Sequence, residues 1–348
     1  MTELATTTTT ALALAEQMAI IGKFADHFAA QNTFTDYTQR KAKNTVDAQR
    51  FDLAAFVQFL ESAGAHGLTA EQLQTAPGAW YGVTWGIVKG FVEWQFKGGV
   101  SVASINRRLS TVKTYAKLAA QAGAIPADAL TLIQTVRGYN QKEAMRVNEG
   151  RTVTRVGKKK AQHVSITDKQ AEQLRAQPLD TPVGRRDAVL MALLLDNGLR
   201  AGELSALTVD SIDLHGGALK GFYRAKVNKT QNHDLSADAL KALRAYFDSG
   251  DVPAVGPLLR GSRKGGKLDQ AGMSETAISE RVRKLGADLG IDGLSAHDCR
   301  HYWATYWGKR VEKLPKGVFT LQEAGGWNSL SMPRRYVDQA ATANEGMV

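Results

Sequence analysis

The chain has 348 residues, which is enough for two ordinary domains that each bury a core of their own. Its formal net charge of +10 favours a polyanionic partner, although a scattered surface excess of cations would give the same total. A single cysteine, Cys299, excludes an internal disulfide, and no apolar run reaches the roughly 20 residues of a membrane span. We therefore expect a cytoplasmic protein with no membrane partner.

The first 140 residues have the pattern of a helical domain. Residues 1–20 contain a run of five threonines and are predicted to be disordered because of this low complexity. Apolar residues then recur at three- and four-residue steps in 44–60, 79–96 and 102–123, which predicts helices that face a core. No alternation typical of strands occurs in this part, so the sequence predicts an all-helical domain over residues 21–140.

Two groups of cations in this half of the chain are candidate DNA contacts. Arg107, Arg108 and Lys113 lie within seven residues near a helix start, where they form either a solvated face or phosphate contacts. Residues 141–164 lose the apolar rhythm and are predicted to be an extended basic linker. Its cations could neutralise a DNA backbone, or the segment could be an exposed hinge that contacts nothing. The candidate residues in the linker are Arg151, Arg155, Lys158, Lys159 and Lys160.

Beyond residue 165 the pattern is mostly helical, with possible short strands at 218–235. Asn197 and Gly198 favour a helix end, which places Arg200 near the amino end of the following helix, where backbone N–H groups favour an anion. Glu203 is three residues further on and could hold the guanidinium. Taken alone, without the other motifs, Arg200 would be interpreted as an ordinary surface arginine.

A second cluster of candidate residues opens a later helix. Ser295 begins a Ser-x-x-Asp capping pattern, so His297 lies in the first helical turn and shares a face with Arg300 three residues later. Both side chains could bind one phosphate at the helix amino end. His301 is predicted to face elsewhere and to have a structural role, and Cys299 is predicted to be a small packed side chain.

The last candidate residues are Trp327 and Tyr336, nine residues apart. Ser331 and Pro333 are typical of a first helical turn, so Tyr336 is predicted to lie on a short helix. A lone tyrosine near a C-terminus is usually a packing residue. Its fixed distance from Trp327 and the two arginines upstream favour a nucleophile instead.

The order of these residues resembles the tyrosine recombinases, the phage-integrase family of Cre- and Xer-like site-specific recombinases. The residues that carry the resemblance are Arg200, Lys226, His297, Arg300, Trp327 and Tyr336. It implies a mainly α fold with a small β-sheet, arranged as a two-domain DNA clamp. In this clamp an N-terminal helical core-binding domain precedes a catalytic domain, residues 165–348, that ends in a short C-terminal tail.

The resemblance also implies a chemistry and partners. Tyr336 would attack a DNA phosphodiester to give a 3′-phosphotyrosine, while Arg200, Arg300 and Trp327 stabilise the charge that develops on the phosphate. Lys226 would act as general acid, and His297 would accept the tyrosine proton or hold the phosphate. No metal, cofactor or ATP is expected. The implied partner is double-stranded DNA that contains recombination sites, at the nucleoid or elsewhere. Monomers would assemble on it into a homotetramer, and strand exchange would proceed through a Holliday junction.

Three alternatives remain open at this stage. The family often has Gly-Lys-Gly-x-Lys in the strand turn, whereas this chain has Ala225-Lys226-Val227-Asn228-Lys229, so Lys229 is a second candidate for the catalytic lysine. A type IB topoisomerase would use a similar active site to relax supercoiled DNA. A sequence-specific DNA-binding protein could also retain the fold without the chemistry.

Overall fold

A computed structural model of the chain describes residues 2–150, 163–224, 227–263 and 265–338. The chain divides into two compact units, Met1–Ala161 and Gln162–Val348. Most described residues are helical and the strands are short, so the predicted mainly α class with a small β-sheet is confirmed. None of the described helices has the length and apolar content needed to cross a membrane.

The first unit is helical throughout its described residues. The helices are α1 (Thr2–Gln39), α2 (Lys43–Ser62), α3 (Ala70–Thr75), α4 (Trp85–Lys97), α5 (Val102–Gln121), α6 (Ala127–Thr135) and α7 (Gln141–Glu149), with a 3₁₀ turn at Pro77–Trp80. The helices predicted at 44–60 and 102–123 are confirmed by α2 and α5. The segment predicted as one helix at 79–96 is instead a 3₁₀ turn and α4, because the chain turns at Gly82, whose φ is +79°.

Two expectations for this unit were wrong. Residues 2–20 belong to α1 rather than being disordered; their alanines and leucines favour a helix, whereas the run of five threonines does not. Residues 141–149 form α7 rather than extended linker. The backbone N–H of Asn140 donates to Glu143 Oε2 at 2.7 Å and that of Glu143 to Asn140 Oδ1 at 2.9 Å, which caps α7 at its start. The remaining linker cations, from Arg151 to Lys160, lie outside the described residues.

Aromatic side chains form the centre of the first unit. Trp80 is fully buried, and its ring lies 6.0 Å from that of Phe56 and 6.4 Å from that of Tyr115, measured between centroids. The indole N–H donates to the carbonyl oxygen of Leu73 at 2.8 Å, so the polar atom of the ring is satisfied inside the core. This cluster joins α2, α3 and α5.

The second unit combines eight described helices with two small antiparallel sheets. The helices are α8 (Asp168–Arg175), α9 (Pro182–Leu195), α10 (Ala201–Ser205), α11 (Ala237–Asp248), α12 (Glu275–Asp288), α13 (Ala296–Gly308), α14 (Val318–Gly325) and α15 (Ser331–Asp338). The strands are β1 (Ile212–Asp213), β2 (Ala218–Arg224), β3 (Lys229–Asp234), β4 (Arg260–Ser262) and β5 (Leu268–Gly272). The first sheet has the order β1-β2-β3 and includes the strands predicted at 218–235. The pair β4-β5 was not predicted.

Helix α9 organises the core of the second unit. Its residues 186–195 are all buried, and the helix packs against α8, α11 and α13. A smaller apolar cluster at the C-terminal half of α13 contains Trp303, Leu321 and Tyr336, with Trp307 and Trp327 packed against it. The predicted nucleophile is therefore part of a packed cluster, held by α13, α14 and α15.

The aromatic core of the first unit gives a stability prediction. We expect Trp80→Ala to destabilise that unit by about 3–5 kcal/mol, because the change removes a fully buried ring and leaves a cavity. Tyr81→Ala is the matched control, since the neighbouring Tyr81 is 72% exposed and its loss should change stability by less than about 0.5 kcal/mol. Urea unfolding of the full chain, followed by circular dichroism, measures both. Equal losses in the two variants would contradict the prediction.

Candidate active site

Arg200 is positioned by the turn between α9 and α10. Gly198 has a φ of +61°, and a Cβ there would lie 2.2 Å from the Trp303 ring, so only glycine permits this turn against α13. The Arg200 guanidinium donates to Glu203 Oε1 at 2.6 Å and to the carbonyl oxygen of Gly326 at 2.9 Å. Glu203 Oε2 also accepts from the backbone N–H of Arg200 at 2.9 Å. The predicted neighbours Arg200 and Glu203 are thus in direct contact.

Arg300 approaches the same place from α13. Its side chain is buried, and its guanidinium donates to the carbonyl oxygens of Gly198 and Gly325. The Gly325 oxygen also lies 3.3 Å from Nη2 of Arg200, so one carbonyl accepts from both arginines. Burial, together with the charge of Arg200, lowers the pKa of Arg300 to about 9, which still leaves the guanidinium charged at neutral pH.

A third arginine, Arg224 on β2, lies beside this pair. It is fully buried, with Nε 3.9 Å from Glu203 Oε1 and Nη2 3.3 Å from Nε2 of His233. A Cβ at Gly326 would lie 2.3 Å from Arg224 Nη1, so the glycine leaves room for the guanidinium. Burial lowers the pKa of Arg224 to about 10. The sequence analysis missed this residue, although an arginine at the end of a half-buried strand was a signal that could have identified it.

Arg200 and Arg224 share the carboxylate of Glu203. Burial alone would raise the pKa of Glu203, but Arg224 and Arg200 outweigh this effect and hold the pKa below its usual range. Glu203 is therefore ionised at neutral pH. With Arg200, Arg224 and Arg300 charged around one carboxylate, the group carries an excess of positive charge that suits an anionic group.

Tyr336, which lies on α15, is next to this group of arginines. Its ring stacks on Trp327 with centroids 5.8 Å apart, and the Trp327 ring lies 4.9 Å from the Arg300 guanidinium carbon. A Cβ at Gly308 would lie 2.7 Å from the Tyr336 carbonyl oxygen, so α13 and α15 meet closely here. Burial raises the pKa of Tyr336 and the nearby Arg300 lowers it in part. The hydroxyl is therefore protonated at neutral pH.

Two histidines of α13 lie on the face that meets Tyr336. His301 Nδ1 is 3.1 Å from the Tyr336 hydroxyl oxygen, and His301 Nε2 is 3.2 Å from Nε2 of the exposed His297. The expectation that His301 faces away from His297 was wrong, because residues four apart on a helix share a face. Cys299 is a buried free thiol, as predicted.

The lysine of the β2-β3 turn cannot be placed in this group, because Lys226 lies outside the described residues. The turn continues through Asn228, which has a φ of +48° and accepts a hydrogen bond from the Tyr223 hydroxyl at 2.8 Å. The alternative candidate, Lys229, begins β3 and is exposed. Within the described ranges, no group of three or more His, Cys, Asp or Glu side chains could hold a metal ion.

The candidate DNA contacts of the first unit are held by neighbouring groups. Arg107 is 52% exposed, and its guanidinium pairs with the buried carboxylate of Asp52 at 2.8 Å. Arg108 Nη1 donates to Gln95 Oε1 at 3.2 Å, and Lys113 Nζ donates to the Gln134 carbonyl oxygen at 2.8 Å. Of the three, Arg107 is thus both exposed and held in place by a buried acid.

Comparison with known proteins relates the second unit to one family. Residues 164–343 match the model of the phage integrase family. Tyrosine recombinase XerC of Mycobacterium leprae is 23% identical over 93% of this chain and 96% of its own length, and XerC of Xanthomonas campestris (strain B100) is 27% identical over 76% and 70%.

Solved structures share the fold at low sequence identity. A lambda integrase dimer bound to a COC′ core site has a TM-score of 0.55 at 16% identity and covers 89% of this chain and 94% of its own. A lambda integrase tetramer bound to a Holliday junction has a TM-score of 0.55 at 13% identity, with 89% and 76% covered. The Tn1549 transposon integrase with transposon right end DNA also has a TM-score of 0.55, at 13% identity, with 90% and 95% covered.

The half-buried histidine beside Arg224 gives a pH prediction. Burial, and then the charge of Arg224, lowers the pKa of His233 to about 4, whereas an unfolded histidine titrates near its ordinary value. The unfolded chain therefore binds a proton more readily, so this contribution to stability is complete above about pH 6.5 and is lost as the pH falls towards 4. The slope contributed by one such group is at most about 1.4 kcal/mol per pH unit.

Urea unfolding of the full chain between pH 7.5 and 4.5 measures this dependence. We expect His233→Gln to lose stability less steeply with falling pH than the wild type. Asn232→Gln, at the exposed neighbouring position, is the control that should keep the wild-type slope. Parallel curves for the wild type and His233→Gln would show that His233 is not the titrating group.

Proposed function

This chain belongs to the phage integrase family, and we propose that it is a site-specific DNA recombinase that cleaves and rejoins DNA through a 3′-phosphotyrosine. The observation that carries this proposal is the convergence of Arg200 and Arg300 on the carbonyl oxygen of Gly325, beside the buried Tyr336. The arrangement brings fixed positive charge next to a hydroxyl nucleophile, which transfer of a phosphodiester requires.

The cationic group supplies stabilisation where charge develops. A phosphodiester repels a nucleophile, and its non-bridging oxygens gain charge as the pentacoordinate state forms. The forks of Arg200 and Arg300 match these oxygens, and the indole N–H of Trp327 can donate to one of them. Because the guanidiniums are already held by carbonyls and Glu203, little reorganisation is needed when the phosphate binds.

Attack by Tyr336 joins its oxygen to phosphorus and releases the DNA 5′-oxygen, which needs a proton. We assign that proton to Lys226 as general acid. The phosphotyrosine keeps the energy of the broken bond, so the 5′-hydroxyl can attack in return without ATP or a metal ion. Rejoining to a second DNA site completes recombination through a Holliday junction.

We propose the domain organisation from the same resemblance. A core-binding domain at 21–140 and a catalytic domain at 165–348 would form a clamp on the duplex. They would be joined by the basic segment 141–164, which begins with α7, and the division of the chain after Ala161 supports this. Arg107, Arg108 and Lys113 would contact phosphates from the core-binding side, and the linker cations from Arg151 to Lys160 would do so between the domains. Because lambda integrase forms a dimer on a core site and a tetramer on a Holliday junction, we propose that monomers of this chain assemble into a homotetramer on DNA, at the nucleoid or other cytoplasmic DNA.

The central test is formation of a covalent complex. We expect the purified chain, without metal or ATP, to become linked to nicked suicide duplexes that contain its site, drawn from the flanks of its own gene or a random library. Tyr336→Phe should bind the same DNA and form no adduct, because it lacks only the nucleophilic hydroxyl. Denaturing gels detect the adduct, and gel shifts measure binding.

Tyr302→Phe is a matched control, since Tyr302 is another tyrosine of the unit whose hydroxyl donates to Asp168 at 2.9 Å, away from the arginines. This variant should form the adduct at the wild-type level. Strong binding by the wild-type chain with no adduct on any bound sequence would instead favour a DNA-binding protein without the chemistry. Relaxation of supercoiled DNA by a monomer, without exchange of strands between sites, would favour a topoisomerase.

Arg224 gives a second test of the charge arrangement. We expect Arg224→Met to slow cleavage by about tenfold, equivalent to about 1.4 kcal/mol in the barrier. Without Arg224, the negative charge of Glu203 would neutralise more of the positive charge of Arg200, which would then stabilise the phosphate less. Lys220→Met removes one cation from the same strand, but Lys220 is 60% exposed and pairs with Asp213. Single-turnover cleavage should therefore stay at the wild-type rate in this control. Equal rates in both variants would remove Arg224 from the site.

A further inference from the structure

His301 is in contact with the nucleophile. Its Nδ1 lies 3.1 Å from the Tyr336 hydroxyl oxygen, which is hydrogen-bond distance, and its Nε2 lies 3.2 Å from Nε2 of His297. The imidazole therefore bridges the buried tyrosine hydroxyl and an exposed histidine. The two contacts use both ring nitrogens of His301.

Only two proton arrangements satisfy both contacts of a neutral His301. In the first, the tyrosine hydroxyl donates to Nδ1, and the Nε2–H of His301 donates to His297. In the second, Nδ1–H donates to the tyrosine oxygen, and Nε2 accepts from His297. Transfer of one proton across each contact converts the first arrangement into the second, so the geometry is that of a two-step proton relay.

The surroundings of His301 keep its ring neutral and fixed. The His163 ring contacts it at a tilt of 32° with centroids 3.5 Å apart, and Nδ1 of His163 lies 3.8 Å from Oδ1 of the buried Asp298. Burial, followed by repulsion from His163 and His297 when those rings are protonated, lowers the pKa of His301 to about 4. A neutral ring can accept a proton, but so weak a base cannot retain one, which favours passing it onward.

We propose that His301 accepts the proton of Tyr336 and passes a proton on to His297. This rests on the proposed recombinase function. As the tyrosine oxygen bonds to phosphorus, its O–H bond breaks and the proton moves to Nδ1 of His301, while the Nε2 proton of His301 moves to Nε2 of His297. The bond from phosphorus to the 5′-oxygen breaks, and that oxygen takes a proton from Lys226. His297 is exposed and can release the extra proton to solvent. Rejoining reverses each transfer.

The test uses His301→Asn on the nicked substrate. Asparagine places a polar atom where Nδ1 lies, so it can keep the hydrogen bond to Tyr336, but it cannot take up a proton. We expect single-turnover cleavage at pH 7 to fall by about a hundredfold, with DNA binding unchanged. The defect should shrink as the pH rises and the tyrosine ionises without a base. Among the residues that the structure describes, the titratable and charged groups that act on His301 are His163, His297, Asp298, Arg300 and Tyr336.

Two further measurements separate proton transfer from positioning. A substrate with sulfur in place of the bridging 5′-oxygen has a leaving group that needs no general acid, so it should restore cleavage to Lys226→Ala and not to His301→Asn. Tyr302→Phe, which changes the next residue on α13 and whose hydroxyl donates to Asp168, should cleave within a fewfold of the wild type. Together these results would establish the relay.

The opposite results would overturn it. Wild-type cleavage by His301→Asn, or a defect that does not change with pH, would show that His301 takes no proton. If the sulfur substrate restored cleavage by His301→Asn, the substitution would affect protonation of the leaving group and not of the tyrosine. In each case Tyr336-dependent adduct formation by the wild type would leave the recombinase function standing, whereas a wild-type chain without any adduct would overturn both proposals.

Discussion

The shared carbonyl of Gly325 is the contact on which the candidate site depends. Two guanidiniums repel each other, and that repulsion is stronger away from water. Here both arginines donate to one fixed oxygen, and Glu203 offsets part of their charge. Arg224 approaches the same carboxylate oxygen as Arg200. The site therefore carries an excess of positive charge. A bound phosphodiester would reduce the repulsion between the guanidiniums, so substrate binding would stabilise the site.

Close backbone approaches hold this charge next to the nucleophile. Gly198 lets the Arg200 turn lie against Trp303, and Gly308 lets α13 lie against the backbone of Tyr336. Gly308 is the last residue of α13 and Gly198 faces that helix, which also presents His301 and Arg300. A side chain at either position would push the tyrosine or the arginine turn away from that helix. The relative placement of charge and nucleophile is therefore fixed by packing and not by the reacting groups alone.

The sequence predicted the residue types of the site better than their contacts. Arg200, Arg300 and Tyr336 occur in local patterns of caps and turns, and local patterns can be read from one chain. The bond between His301 and Tyr336 joins residues 35 apart, and it depends on how α13 and α15 pack. The inward orientation of the Arg224 side chain depends on how β2 pairs with β3, and that register shifts between Leu219 and Phe222. Neither contact follows from spacing along the chain.

The proton of the nucleophile must move at the same time as the phosphate is attacked. Burial keeps Tyr336 protonated, and the charge of Arg300 only partly offsets this effect. When a phosphodiester occupies the arginines, its negative charge cancels the field that would stabilise a free tyrosinate. The tyrosine is then less acidic with substrate bound than without it. A neutral acceptor already in contact with the hydroxyl resolves this conflict, because the proton can leave as the new bond to phosphorus forms.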